Sequence, residues 1–223
     1  MKIKQFVFNP FQENTYVVYT GADDISVLNG KQKQGEAMII DPGCSSHSEE
    51  VMLTDFLREN NLTLKLVVNT HLHVDHVLGN SYIEKTYGIK ALANKDDEYW
   101  LKSLESQARM FGLALRHEIP TLGGYLNEGD TLKFGSEDFK IFQIPGHSPG
   151  SIVLYNASQS VVFVGDVLFY SSIGRSDLAG GDYALLIEGI NKKLMNLPDE
   201  TVVYSGHGPS TTIGQERKSN PFI

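Results

Sequence analysis

The 223 residues include one cysteine, Cys44, so no intramolecular disulfide can form and no cysteine-based metal knuckle can be built. Any metal here has to be held by imidazole and carboxylate. Positive charge is also scarce: 19 Lys and Arg stand against 27 Asp and Glu, a net charge of -8. The basic footprint that neutralises phosphates is missing, and no nucleic-acid partner is expected. No apolar run approaches the ~18 to 20 residues of a spanning helix, and the opening MKIKQFVFNP has no apolar stretch followed by a small-residue cleavage site. No membrane partner and a cytoplasmic location are therefore expected. Linkers rich in Pro, Gly or Ser are absent too. With 41% hydrophobic and 21% charged residues the chain reads as an ordinary globular protein with a sizeable core. Its length fits one domain spanning 1–223.

The chain divides into two similar halves. IKQFVF, TYVVYT and AMIID read as strands, and the polar stretch GADDISVLNGKQKQGE reads as an extended hairpin excursion between the second and third. Val51, Leu53, Phe56 and Leu57 recur at helical spacing between Ser46 and Asn60. LKLVVN is a nearly continuous apolar run, hence a buried strand, and it leads straight into THLHVDH. Helices are expected at about 77–88 and 95–112, with Tyr99, Trp100 and Met110 facing a core, and a Gly-rich loop at 121–130. The strands TLKF, FKIFQI, SIVLYN and SVVFVG follow, then a helix at about 182–196 and the strand TVVY, which runs into SGHGP. Strand runs with helices on both flanks predict an α/β fold of four layers, two mixed sheets covered by helices.

The histidines carry the functional signal. Five of the seven, His71, His73, His76, His147 and His207, fall at expected strand-end loops. Residues two apart in extended chain point the same way, so His71 and His73 can converge on one ion, and the following turn can aim Asp75 and His76 at a second. His147, Asp166 and His207 each follow an apolar strand, and each is preceded by a glycine, which permits unusual backbone angles. Six ligands exceed one tetrahedral zinc, whereas three each plus a shared carboxylate fits two ions about 3.5–4 Å apart. Zinc is the first expectation for these two divalent ions, with iron or manganese as alternatives.

T-H-x-H-x-D-H after an apolar strand, then PGHSPGS, GD and GHG, resembles the metallo-β-lactamase superfamily over nearly the whole chain. NPFQENTYVV, IIDPG, IGRSDLAGGD and GHGPSTTIGQERKSNPF are most similar to its glyoxalase II-like hydrolases, which cleave hydroxyacyl-glutathione thioesters. The resemblance implies that His71, His73 and His147 hold one metal, that Asp75, His76 and His207 hold the other, and that Asp166 bridges them. It also implies a four-layer αββα sandwich. About 16 residues follow His207, too few for the helical C-terminal domain with which those enzymes help hold glutathione.

The expected activity is dinuclear metal-dependent hydrolysis of a small-molecule thioester by attack of a metal-bridging hydroxide, with Asp75 and Asp166 as the catalytic carboxylates. A thiol of pKa about 8.5 departs without an added acid, and Asp75 can shuttle a proton for a harder leaving group. The alternative is a persulfide dioxygenase with one iron on the same scaffold. A non-catalytic metal-binding module would have lost ligands, a β-lactamase would carry an export signal, and a nuclease would carry a basic surface. His47 and His117 are expected to be bland, and Cys44 to be a small buried hydrophobe. Asp41 either caps the IIDPG turn or supports a metal ligand, and Arg175 either fixes its loop, the favoured reading, or clamps a substrate anion. The oligomeric state is left open.

Overall fold

The computed structural model describes residues 1–20 and 34–223. Residues 21–33 of the expected hairpin excursion lie outside the described residues. The first sheet runs in sequence order, with β1 (Lys2–Phe8), β2 (Glu13–Tyr19), β3 (Gly35–Ile40), then β4 (Leu62–Val68) after α1 (His47–Glu59). α2 (Val74–Val77) and α3 (Asn80–Tyr87) lead to β5 (Ala91–Ala93), and α4 (Tyr99–Lys102) and α5 (Leu104–Met110) lead to β6 (Leu122–Tyr125). The second half supplies β7 (Thr131–Phe134), β8 (Glu137–Gln143), β9 (Ile152–Asn156) and β10 (Val161–Gly165). A small hairpin, β11 (Leu168–Phe169) and β12 (Ser172–Ile173), precedes α6 (Tyr183–Gly189), β13 (Val202–Ser205), β14 (Thr211–Thr212) and α7 (Ile213–Ser219). The second sheet has the order β14-β13-β10-β9-β8-β7.

Local chemistry explains the elements. Ser46 caps α1 in a reciprocal box with Glu49, which turns the chain from the β3 loop into the helix. β3 pairs with β4 and β10 with β13 in parallel register, so these strands need both faces covered and read as continuous apolar runs. One face of each sheet meets the other sheet: Tyr16, Val18, Met38, Ile40 and Val68 pack with Phe139, Ile141, Leu154 and Phe163. On the outer faces, Val17, Ala37 and Ile39 pack with Leu53 and Leu57 of α1 and Ile83 of α3. Val153, Val162 and Val203 pack with Leu186 of α6, Ile190, Leu194 and Ile213 of α7. The result is the expected α/β arrangement of four layers.

Three expectations need correction. The helix expected at 95–112 is a 3-10 turn at Lys95–Asp97 followed by the short α4 and α5. The Trp100 carbonyl accepts from the Gln107 side chain at 3.0 Å, so part of the local bonding is not a helical ladder. With the helix broken, helical spacing no longer places Tyr99 and Met110 inward, and they are 43% and 79% exposed, while Trp100 is partly buried. The Gly-rich loop contains β6, because β5 offers a parallel partner (Leu92 opposite Gly124) that outweighs glycine's weak strand preference. The helix expected at 182–196 is α6 continued by a π-helical turn at Ile190–Leu194.

Phe163 stacks on Tyr204 at 5.1 Å and meets Tyr16 edge-on at 5.3 Å between the sheets. Replacing it with Ala is expected to destabilise the fold by about 3–5 kcal/mol in urea unfolding, and a loss below about 1 kcal/mol would contradict this reading of the core.

Candidate metal centre

The chain leaves β4 through Asn69 and Thr70, which fix the segment that follows. Thr70 donates its amide and hydroxyl to the Asp41 carboxylate at 2.7 and 2.6 Å, and the Asn69 amide group donates to the His76 carbonyl at 2.8 Å. His73 is extended and serves as the N-cap of α2, which begins at Val74. His147 lies between β8 and β9, Asp166 just after β10, and His207 just after β13. All seven expected ligand residues meet at one end of the two sheets. Two of the three glycines expected to permit unusual angles do so: φ is +131° at Gly146 and +51° at Gly165. Gly206 is needed for a different reason, since a Cβ there would stand 2.2 Å from Asp166 Oδ1.

His71, His73 and His147 form one cluster, and Asp75, His76 and His207 form another. His147 Nε2 lies 2.9 Å from His73 Nδ1 and 3.2 Å from His71 Nε2. His207 Nε2 lies 3.1 Å from Asp75 Oδ2. Asp166 faces both clusters, with Oδ2 3.6 Å from His147 Nε2 and 3.5 Å from His207 Nε2, and Oδ1 3.5 Å from His76 Nε2.

The outward nitrogens show what the inward ones can do. His76 Nδ1 faces Asp41 Oδ2 at 3.1 Å, His147 Nδ1 faces the Arg175 carbonyl at 2.8 Å, and His207 Nδ1 faces the Phe11 carbonyl at 3.1 Å. His71 Nδ1 faces Thr70 Oγ1 at 3.1 Å, and that hydroxyl has already given its proton to Asp41. In the neutral form of each of these rings Nδ1 donates, so Nε2 would present a bare lone pair to the centre. Two such lone pairs, on His71 and His147, are 3.2 Å apart and repel unless a proton or a cation lies between them. Burial, reinforced by His76, pushes the His71 imidazole well below its usual 6.5, and burial with His147 lowers His73 to about 3. A proton is disfavoured there, and a metal cation fits. Nitrogens 2.0–2.1 Å from a tetrahedral zinc stand about 3.3 Å apart, close to the spacing found.

The second cluster is more anionic. Burial works against the Asp75 carboxylate, yet His76 and His207 hold it below its ordinary range, and Asp166 is held down likewise by His76. Conversely, burial opposes charge on His76 but Asp75 and Asp166 raise it well above 6.5. His76 Nε2 and Asp166 Oδ1 are buried without a hydrogen-bond partner, as metal donors would be.

Several neighbours carry no sequence signal of this role. Glu13 is fully buried beside His76, with Oε2 accepting from Thr15 Oγ1 at 2.9 Å and its pKa raised by burial. Asp97 is also buried and accepts from the Leu72 amide at 3.0 Å. Asp41 Oδ2 faces His76 Nδ1 directly, the contact its support reading expects, and it does so from a left-handed backbone (φ 50°). The Arg175 guanidinium pairs with Asp177 through two contacts of 2.9 Å, as its loop-fixing reading expects. Cys44 is buried and burial pushes its thiol up, so it is inert. His47 is exposed, and His117 bonds Glu50 at 2.7 Å, away from the centre.

A cavity of about 450 Å³ opens beside His147, Asp166 and His207, walled by Phe169, Tyr170, Ile173 and Pro209, with Arg175 also lining it. The wall is the β11–β12 hairpin, and Glu216 of α7 holds it, accepting from the Ser171 amide at 2.9 Å and from Asn220 Nδ2 at 2.8 Å. A larger hollow beside Arg116 and His117 touches none of the seven residues.

Metal loading of the metal-free protein is expected to displace protons from His76 and to release them near neutral pH, measurable with an indicator dye in weak buffer. It is also expected to stabilise the fold by about 4 kcal/mol per site at a free metal concentration about 1,000 times its dissociation constant. The absence of both proton release and a rise in Tm on loading would contradict a metal centre here.

The family model of the metallo-beta-lactamase superfamily matches residues 9–207. Hydroxyacylglutathione hydrolase GloC of Haemophilus influenzae is 36% identical, covering 100% of this chain and 98% of its own. Probable metallo-hydrolase YqgX of Bacillus subtilis is 32% identical, with coverage of 100% and 98%. Among solved structures, BLEG-1 B3 metallo-beta-lactamase superposes with a TM-score of 0.85 at 38% identity, covering 99% of each chain. TTHA1623 in a di-iron-bound form superposes with a TM-score of 0.82 at 33% identity, covering 99% of this chain and 100% of its own. With its fold, its clustered histidines and full-length relatives in agreement, the chain belongs to the metallo-beta-lactamase superfamily.

Proposed function

We propose that this chain is a dinuclear metal-dependent hydrolase that cleaves a small-molecule thioester such as a hydroxyacyl-glutathione. The observation that carries the reading is the convergence of two complete donor clusters on one shared carboxylate, Asp166. His71, His73 and His147 would hold one ion, Asp75, His76 and His207 the other, and Asp166 would face both. A pair of divalent ions supplies a nucleophile from water at neutral pH and polarises a carbonyl oxygen.

The chain's own residues set the rest. Asp41, the Arg175 carbonyl and the Phe11 carbonyl hold the His76, His147 and His207 rings in the orientation in which Nε2 faces inward. The adjoining cavity, about 450 Å³, falls in the range of small-molecule sites, and Phe169, Tyr170, Ile173 and Pro209 give it an apolar wall against which an acyl or thiol moiety can pack. Asp75, beside His207, is the carboxylate placed to hold a proton for a poorer leaving group. A thiolate leaving group needs no such proton, which favours a thioester over an amide. GloC, by its name a hydroxyacylglutathione hydrolase, supports the substrate class. A mononuclear dioxygenase would leave Asp75, His76 and His207 without a task, although their donor atoms too lie within 4.8 Å of one another.

Metal analysis and a panel of acyl-glutathione, other acyl-thiol and β-lactam substrates test the proposal. About two equivalents of metal per chain and turnover of acyl-thiols are expected. Asp166→Asn is expected to lower kcat/KM at least about 100-fold without unfolding the chain. Unchanged turnover in that variant, or cleavage confined to β-lactams, would sink the proposal.

A further inference from the structure

One buried carboxylate outside the two clusters holds both segments that supply the three-histidine group. Asp97 Oδ2 accepts from the amide of Leu72, the residue between His71 and His73, at 3.0 Å. Its Oδ1 accepts from Ser148 Oγ at 2.5 Å and from the Gly150 amide at 2.6 Å, just beyond His147. Ser148 Oγ in turn accepts from Trp100 Nε1 at 3.0 Å, and the Trp100 ring stands edge-on to His73 with centroids 5.0 Å apart. The approach is tight, since a Cβ at Gly150 would come within 2.7 Å of the Asp97 backbone nitrogen. The 3-10 turn Lys95–Asp97, capped by Asn94 on the Asp96 amide at 2.9 Å, aims the carboxylate inward.

A buried carboxylate is tolerated only when its oxygens are bonded, and here each oxygen serves a different segment. We propose that Asp97 is a positioning residue for the His71, His73 and His147 cluster, bridging the two segments and fixing the spacing at which their three ring nitrogens meet. The inference rests on the two-metal reading above. Asp97 acts through the Leu72 amide and the Ser148–Gly150 turn, and none of its hydrogen-bond donors belongs to Asp75, His76 or His207. Its loss should therefore weaken one metal site and spare the other.

Asp97→Asn keeps the size and one acceptor oxygen but places an amide nitrogen against a donor. Cobalt(II) titration of the metal-stripped full chain against a competing chelator, followed by absorption spectroscopy, reads the two sites separately. The wild type is expected to take up two equivalents. In Asp97→Asn one equivalent should weaken by about 10–100-fold while the other holds within about twofold. Ser148→Ala, which removes one of the three hydrogen bonds to the Asp97 carboxylate together with the acceptor of Trp100 Nε1, should weaken the same equivalent by a smaller factor, and it decides the matter if Asp97→Asn does not fold. Two equivalents bound at wild-type affinity in these variants would overturn the inference alone. So would equal weakening of both equivalents, the mark of general loosening. Fewer than two equivalents in the wild type would overturn the two-metal reading, and the inference with it.

Discussion

The packing of Tyr16, Phe139 and Phe163 between the two sheets is the contact on which the site depends, because the candidate ligand residues are drawn from both sheets. His71, His73, Asp75 and His76 follow β4 of the first sheet, and His147, Asp166 and His207 follow strands of the second. Neither sheet carries a complete set. At the ligand end the join is polar: the Asn14 amide donates to the Gly206 carbonyl at 2.7 Å, the Asn14 side chain to the Ser205 carbonyl at 2.9 Å, and the Ile152 amide to the Thr70 carbonyl at 2.8 Å. The apolar interior sets the distance between sheets, and these bonds set their register beside the histidines.

The centre is locally unfavourable, and the surrounding structure compensates for it. Five imidazoles and two carboxylates crowd into a largely buried region, where unpaired polar atoms cost free energy. The outward nitrogens of His76, His71, His207 and His147 are satisfied by Asp41, Thr70, Phe11 and Arg175, which leaves inward lone pairs and the negative charge of Asp75 and Asp166 facing the centre. A divalent cation answers both at once. The Asp41 carboxylate is the most connected of these supports, since it holds Thr70 by two bonds and His76 by one.

The gathering of the seven candidate residues could be read from the chain because strand ends are visible as apolar runs that stop at Gly, His or Asp, and the positions of the histidines did the rest. Asp41 stood out only through IIDPG, where a turn cap and a ligand support look alike. Glu13 and Asp97 could not be singled out, since each is one acid among 27 and its role depends on partners far along the chain. Periodicity failed at Tyr99 and Met110 for a related reason: the segment is three short pieces, and the inward turn at Asp97 breaks the helical phase that would have buried them.

The β11–β12 hairpin hangs on Glu216 and Asn220 near the end of the chain, whereas the histidines hang on Asp41, Thr70 and the loops after β4, β8 and β13. The cavity wall and the candidate donor residues thus meet at one joint, the Arg175 carbonyl against His147 Nδ1, and otherwise rest on separate supports. Sequence drift in α7 can reshape the mouth of the cavity while the donor atoms keep their places, so one core can be refitted to new clients without being rebuilt.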